Sequence, residues 1–294
     1  MIKYENIIMD VLKGDIHSCK LISNTNNMVY KIVKKNNEIL YAKFYLNNSY
    51  HIDNEINLYK LVDNRYLKEL VYSSENPKFA IFKELKGKTV DELDSVSLIN
   101  HADNIIESLC DFFSSISKFS TKGYGLLDEN MNGKRKSFKE FIFERQSETS
   151  KVLKDYPSLS NVFNKIYNKY NEILIEDNKL VPIDTNLKNI MIMPDGSVKF
   201  VDPGELISGP IMMGYGDFVA HSYKTVLYER LIEKLELDYI QNKLLRIYAV
   251  FSSLNVLAFL KKNGVDNLQK VIPYGNRYTF FELIEEHMKY LELK

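Results

Sequence analysis

The sequence predicts an α+β chain of two lobes, a small antiparallel sheet with one helix followed by a larger, mainly helical part. Three observations carry that expectation: short apolar runs divided by Asn-rich breaks near the start, a change to long helical periods near residue 85, and a late apolar hairpin edged by Asp and Asn. The change of period falls in residues 83–88, which sets a first lobe of residues 1–85 and a second of 86–294.

The elements follow in order. Apolar runs at residues 20–22, 28–33 and 39–44 are separated by polar breaks at 23–27 and at Asn36 and Asn37, the pattern of a three-stranded meander. The Asn pair suits a tight hairpin because Asn tolerates positive φ. In residues 53–62, Ile56, Tyr59 and Val62 fall with Leu58 and Leu61 on one helical stripe, so a helix follows the third strand. Runs at 70–72 and 79–82 read as the last strands of this sheet. Helical periods then cover 93–119, 138–153, 161–175, 218–235, 239–260 and 278–291. The stretch 239–260 is apolar enough for a core element, and Phe251, Phe259, Phe280 and Phe281 are expected in the core.

Composition narrows the partners. With 294 residues, 45% hydrophobic and 27% charged, the chain can bury a large core. Lys plus Arg and Asp plus Glu are equal at 39 each, so no global field would gather nucleic acid or an anionic membrane. Acidic residues interrupt the first ten positions where a secretory signal needs an apolar run, and no later run is expected to approach the ~20 residues of a membrane span. A cytoplasmic protein is the expectation. Cys19 and Cys110 form no CxxC pattern and read as buried small hydrophobes. The five histidines lack HExxH spacing, so a zinc hydrolase has no support.

The chemistry concentrates in residues 180–205. Two apolar triplets, 190–192 and 199–201, flank Pro194, Asp195 and Gly196, a hairpin with a tight turn. Asp184 precedes it, Asn189 stands at the start of its first strand and Asp202 at the end of its second. A hairpin returns the chain to its origin, so Asn189 and Asp202 come close. That arrangement suits phosphoryl transfer, which needs positioning and charge neutralisation more than covalent help. Asp202 and Asn189 offer hard oxygen ligands for magnesium, and Asp184 is placed to take a proton from an acceptor hydroxyl. The same logic asks for a cation on the phosphates. Lys43 lies on the third strand and Glu55 on the next helix, a pairing that would hold that ammonium in place.

Lys43, Glu55, the loop from Asp184 to Asn189 and the segment from Asp202 to Gly204 together resemble the aminoglycoside phosphotransferase and choline kinase superfamily, a branch of the two-lobed protein-kinase-like fold. The resemblance spans roughly residues 16–291. It implies ATP or another nucleoside triphosphate as donor, two magnesium ions, and a small molecule with a hydroxyl acceptor. It also implies nucleotide contacts from Ser23, Asn26 and Asn27 in the loop between the first strands, and from Phe82, Glu84 and Leu85 at the hinge. Lys188 either neutralises the γ-phosphate or points to solvent. Asp217 either caps a helix starting at Phe218 or reaches the substrate, and Glu205 touches either substrate or loop backbone. Two departures stand out: Pro182 and Ile183 replace the family's usual His-Gly before the catalytic Asp, and the nucleotide loop has no GxGxxG.

Among acceptors, an aminoglycoside or other antibiotic comes first by resemblance, then a sugar or amino-alcohol metabolite. A polycation would favour an acidic pocket, yet acidic and basic residues are equal in number across 203–294; a local cluster of Glu282, Glu285 and Glu286 is the candidate lining. The contrasting expectation is a non-catalytic nucleotide-binding protein on the same fold, suggested by the lost His-Gly and the glycine-free loop.

Overall fold

The structure is a computed structural model that describes every residue except 1, 25, 26, 46–50, 63 and 294. Its chain begins with a helix that the expected single-helix first lobe lacks: α1 (Ile2–Val11). Tyr4, Ile7, Ile8 and Val11 form its apolar stripe, and Ile8 is fully buried against the sheet. The sheet comprises β1 (Ile16–Asn24), β2 (Asn27–Lys34), β3 (Ile39–Tyr45), β4 (Leu70–Glu75) and β5 (Lys78–Lys83) in the order β1-β2-β3-β5-β4. All neighbouring strands are antiparallel. Along β3, Leu40, Ala42 and Phe44 are buried in the cluster with Ile8. Strand alternation therefore sends Lys43 to the opposite face.

Helix α2 (His51–Leu61) follows β3 as expected, lies against β5 and also joins the core of the second lobe. Leu58 and Val62 join Tyr66, Leu67, Phe112 and Phe200 in the larger hydrophobic cluster. Leu67 pairs with Phe200 in a parallel bridge, and the Phe112 and Phe200 rings stack with centroids 4.3 Å apart. The two lobes are thus joined through the helix that carries Glu55.

The second lobe contains β6 (Lys88–Thr89), α3 (Ser95–Ile116), β7 (Tyr124–Leu127), β8 (Gly133–Arg135), α4 (Phe138–Val152), α5 (Pro157–Ser160) and α6 (Val162–Tyr170), then β9 (Lys179–Pro182), β10 (Ile190–Ile192), β11 (Val198–Phe200) and β12 (Leu206–Gly209). The last helices are α7 (Ile211–Ser222), α8 (Val226–Leu235), α9 (Tyr239–Lys262) and α10 (Phe280–Tyr290). Two small sheets, β11-β10-β6 and β8-β7-β12-β9, support the loops of interest. The single helix expected over 218–235 is two helices. Lys224 takes φ +57°, and Thr225 donates from its backbone nitrogen and its hydroxyl to Ser222 O, so the chain turns between α7 and α8.

Helix α9 is long and apolar enough to cross a membrane, which the sequence reading did not anticipate, but its residues Ile247, Phe251 and Leu254 are buried in the core. It lies unusually close to α7. A Cβ added at Gly216 would meet Tyr248 Cβ at 2.5 Å, so only glycine permits that approach. Cys19 and Cys110 are unpaired and half-buried rather than fully buried as expected.

Candidate active site

The loop after β9 is held in an unusual conformation. Asp184 takes φ +63°, a left-handed region that costs an L-residue about 1 kcal/mol and persists only when its surroundings enforce it. Its Oδ1 accepts a hydrogen bond from Asn186 Nδ2 at 2.7 Å. Its Oδ2 accepts one from Asn189 Nδ2 at 3.0 Å, and the same nitrogen donates to Asp184 O at 2.9 Å. Asn186 also caps the short turn Leu187–Asn189, accepting from Lys188 N. Beneath the loop, Asp217 Oδ2 accepts from Thr185 N at 2.7 Å and from Thr185 Oγ1 at 3.1 Å, while Ser252 Oγ donates to Asp217 Oδ1. Asp217 is therefore neither a helix cap at 218 nor free for substrate. It sits inside α7 and spends both oxygens tying the loop to α9. That clamp stiffens a loop whose Pro182 and Ile183 depart from the expected His-Gly. Burial, followed by the charges of Glu205 and Asp217, pushes the Asp184 carboxyl up to about 7, against the pull of Asn186 and Asn189.

The hairpin forms as expected. Ile190 faces Phe200, Met191 faces Lys199 and Ile192 faces Val198. Gly196 takes φ +82° in the turn, and Asn104 Nδ2 from α3 donates to Gly196 O. At the open end Val201 N donates to Asn189 O at 2.7 Å, which brings Asn189 and Asp202 to one mouth. Asp202, also at positive φ, receives Lys43 Nζ at 3.0 Å and Lys68 Nζ at 3.3 Å on the same oxygen.

Lys43 also donates to Glu55 Oε2 at 3.3 Å, and Tyr45 Oη donates to that oxygen at 2.7 Å. Lys68 stands 3.2 Å from Glu55 Oε1. Two ammonium groups and two carboxylates thus close a ring across the lobes. Burial favours the neutral form of Glu55, but Lys68 and Lys43 outweigh it and hold the carboxyl below its ordinary value. The same balance of burial against Lys68 and Lys43 holds Asp202 far below the usual carboxylate range. Burial lowers Lys43 and the two acids raise it, with a net rise.

Lys68 is the residue that sequence reasoning missed. It is 8% exposed, and its ammonium lies 3.9 Å from the Phe82 ring centroid. No motif marks it; the only signal was a lysine directly after the apolar pair Tyr66 and Leu67, where a solvated charge is out of place. Asn186, Thr185 and Ser252 were missed as well, because their roles depend on loop geometry rather than spacing.

A cleft of about 440 Å³ opens beside Lys43 and Asp202. Ser23 and Asn27 line it, with Phe82, Glu84 and Leu85 along the wall, so five expected nucleotide contacts share one cavity. Asn26 lies outside the described residues. Lys188 is not brought there. It is exposed, with its ammonium 4.8 Å from the Tyr274 ring centroid.

A second cavity of about 540 Å³ is lined by Asp184 itself with Arg145, Asn186, Glu205, Met213, Val256 and Phe259, among others. Phe259, expected in the core, is 58% exposed at this cavity. Glu282, Glu285 and Glu286 do not line it. Glu282 caps α10 through Thr279, Glu285 is exposed, and Glu286 pairs with Lys224 and accepts from Tyr223 Oη. The helix turns Leu283, Ile284, His287 and Met288 inward, which leaves the glutamates on the solvated side.

The donor set fits magnesium. Asn189 Oδ1 and Asp202 Oδ2 accept no hydrogen bond among the described residues, so one amide and one carboxylate oxygen are unspent at the mouth of the hairpin. Among the described residues no group of three or more His, Cys, Asp or Glu could hold a metal. An ion held by this pair would complete its shell with phosphate oxygens and water, as magnesium commonly does.

No family model matches the sequence, and no curated protein matches it. Solved structures do. A ternary complex of the aminoglycoside phosphotransferase APH(4)-Ia with AMP-PNP and hygromycin B aligns over 98% of this chain and 96% of its own, at 12% identity and a TM-score of 0.71. The choline kinase LicA from Streptococcus pneumoniae aligns over 99% of both chains, at 16% identity and a TM-score of 0.64. The GDP complex of aminoglycoside 2'-phosphotransferase-IIIa also covers 99% of both, at 12% identity and a TM-score of 0.69. The chain has the kinase-like fold of these phosphotransferases. Within that kinase-like fold the sheet with Lys43 forms one side of the cleft, and the hairpin with Asn189 and Asp202 forms the other.

Proposed function

We propose that the protein is a nucleoside-triphosphate-dependent phosphotransferase that moves the γ-phosphate to a hydroxyl of a small molecule. Residues 1–85 form its nucleotide-binding lobe and 86–294 its catalytic and acceptor lobe. The observation that carries the reading is the junction at Asp202. A strand lysine from one lobe reaches the end of a hairpin from the other at 3.0 Å, and the same hairpin starts at Asn189, bonded to Asp184. Asp184 lines the cavity that suits an acceptor, and its partner Asn189 begins the hairpin whose far end, Asp202, lines the cleft that suits a nucleotide.

In this reading Lys43 leaves Asp202 for the phosphates, while Glu55 keeps its ammonium oriented. Asn189 and Asp202 would hold magnesium, which supplies charge neutralisation on the phosphate oxygens. Asp184 accepts the acceptor's hydroxyl proton, for which a carboxyl raised toward 7 is better suited than an ordinary one. The second cavity sets Arg145 and the carboxylates of Asp184, Glu205 and Asp217 among largely apolar side chains, so it suits a hydroxyl compound with an apolar body; the aminoglycosides of two structural relatives are one class to test beside it.

The test is magnesium-dependent ATP consumption by purified protein, beside Asp184→Asn. Turnover by the wild type that the variant lacks is the expected result; equal rates in both would refute catalysis through Asp184. A second reading, a nucleotide-binding protein without turnover, has Lys68 in its favour. This second ammonium already neutralises Asp202 where the metal is needed. Nucleotide binding that is indifferent to magnesium, without phosphate release, would select it.

A further inference from the structure

The acceptor cavity holds a single guanidinium among its carboxylates. Arg145, on α4, forms no hydrogen bond and no ion pair among the described residues, and its guanidinium lies 5.8 Å from the centroid of the Phe141 ring. Of the acids near it, Glu205 lines the same two cavities but makes no ion pair with it, and the others are engaged. Glu144, next in the chain, is held by Arg135, and Asp217 spends both oxygens on Thr185 and Ser252. Burial pulls the Arg145 guanidinium below its ordinary value more than the charges of Glu205 and Asp217 push it up, so those carboxylates offset its desolvation only in part. A desolvated, unpaired guanidinium is costly, and its planar fork matches a carboxylate.

A second donor stands beside it. Asn255, on α9, accepts from Gln146 Nε2 and Thr149 Oγ1 on its Oδ1, which leaves its amide nitrogen without a partner among the described residues. Arg145 and Asn255 both line the cavity that contains Asp184, and both line an adjoining cavity of about 430 Å³. The inner cavity also presents large apolar side chains to solvent. Phe259 is 58% exposed, Ile272 50% and Tyr274 52%, an apolar patch of the kind that marks a binding surface.

We propose that Arg145, with Asn255, recognises a carboxylate on the acceptor, whose class is a hydroxylated carboxylic acid with an apolar body lying on Phe259, Ile272 and Tyr274. The inference rests on the phosphotransferase reading for the fate of the hydroxyl, which reaches Asp184. A monoanion fits better than a phosphate, because Asp184, Glu205 and Asp217 share the cavity with a single arginine and would repel a dianion. The reaction balances simply: the acceptor oxygen forms a bond to the γ-phosphorus, the bond from that phosphorus to the bridging oxygen breaks, nucleoside diphosphate leaves, and Asp184 takes the hydroxyl proton.

The experiment uses hydroxy acids of graded chain length, each paired with its methyl ester. Binding to nucleotide-free protein is followed by calorimetry, and ATP consumption is measured with magnesium. At least one acid is expected to bind and be consumed while its ester is roughly tenfold weaker or worse, as loss of a charge-assisted pair predicts. Arg145→Met should erase the preference for acid over ester and raise the acid's KM, with Mg–ATP affinity as in the wild type; Arg145→Lys should restore part of the preference. Acids and esters that bind equally, or no binding by any acid, would overturn the carboxylate assignment. So would a Glu205→Gln variant that loses acid binding as fully as Arg145→Met, since removing a carboxylate that repels the acid should not weaken its binding. If acids bind with the expected preference but no ATP is consumed, the phosphotransferase reading fails and the recognition site stands.

Discussion

Replacing Asp184 with Asn should make the metal-free, nucleotide-free protein more stable at alkaline pH while abolishing turnover. The structure sets the size of the effect. A carboxyl pushed up to about 7 by burial binds its proton more tightly in the folded chain than in the unfolded one. Its ionisation therefore costs folding free energy: nothing below the ordinary carboxylate range near pH 4, progressively more as pH rises through the window up to about 7, and about 4 kcal/mol above it, at about 1.4 kcal/mol per tenfold change. Asn removes that penalty without new backbone strain, because it tolerates the left-handed φ of +63°. It also brings a cost. Asp184 accepts on both oxygens, from Asn186 and from Asn189, and an amide must turn its own NH2 toward one of those donors, which costs about 1–2 kcal/mol.

The net gain is about 2–3 kcal/mol at pH 8.5, which for a chain of this length raises the melting temperature by roughly 4 °C. At pH 4 the sign reverses, since only the lost hydrogen bond remains. Thermal unfolding in EDTA at the two pH values measures both. In the wild type, the acidic limb of kcat/KM should fall with an apparent pKa near 7 in the free enzyme. A variant no more stable than wild type at pH 8.5, or a stability difference that does not change between the two pH values, would refute the assignment of a strained, buried base.

Four further outcomes follow from the ring of charges and the helix contact. Lys68→Met removes one of the two cations beside Glu55, which is 1% exposed, and should destabilise the metal-free protein by about 1–3 kcal/mol in urea unfolding. In turnover assays the same variant should need less magnesium for half-saturation, because one cation fewer stands beside Asp202 to repel the metal. Asp202→Ala should eliminate the magnesium dependence of nucleotide binding by calorimetry and leave the far-ultraviolet circular dichroism unchanged, its side chain being half exposed. Gly216→Ala, which forces a methyl against Tyr248, should lower stability by about 1–3 kcal/mol in thermal melts.

The parts of the site that were legible in the sequence are those fixed by strand and hairpin spacing. Lys43 had to alternate with Leu40, Ala42 and Phe44, and Asn189 had to meet Asp202 across two apolar triplets; local pattern determines both. Glu55 was legible because an acid one helix beyond a strand lysine has few other neighbours. Helix α1 was also open to reading, since Tyr4, Ile7, Ile8 and Val11 already keep helical spacing, but its polar interruptions drew attention instead. What stayed hidden depends on tertiary packing. The glutamates of α10 were grouped by sequence, and only the burial of Leu283, Ile284, His287 and Met288 shows that they face away from the cavity. Asp217 looked like a cap because the break between helices was placed too early; the turn lies instead at Lys224.

Lys68 shows why such residues escape a linear reading and what their presence does to the site. It enters from the turn after α2, and its partners are Glu55 on α2 and Asp202 on the far lobe. A buried carboxylate with a single ammonium partner would be left uncompensated whenever that ammonium moved to a phosphate, at a cost of several kcal/mol. With Lys68 in place, Glu55 keeps a cation when Lys43 turns toward the nucleotide. Asp202 has two ammonium groups on one oxygen and leaves the other oxygen open, so it can take a metal ion without first losing both partners. The second lysine thus allows Lys43 to exchange partners during binding while the charge at the lobe junction stays balanced. Glu55→Gln should consequently disturb the junction less than Lys68→Met does, because the amide removes the buried charge that Lys68 compensates; unfolding of both single variants and the double variant in a thermodynamic cycle would expose a coupling near zero if the ring were only a crowded surface.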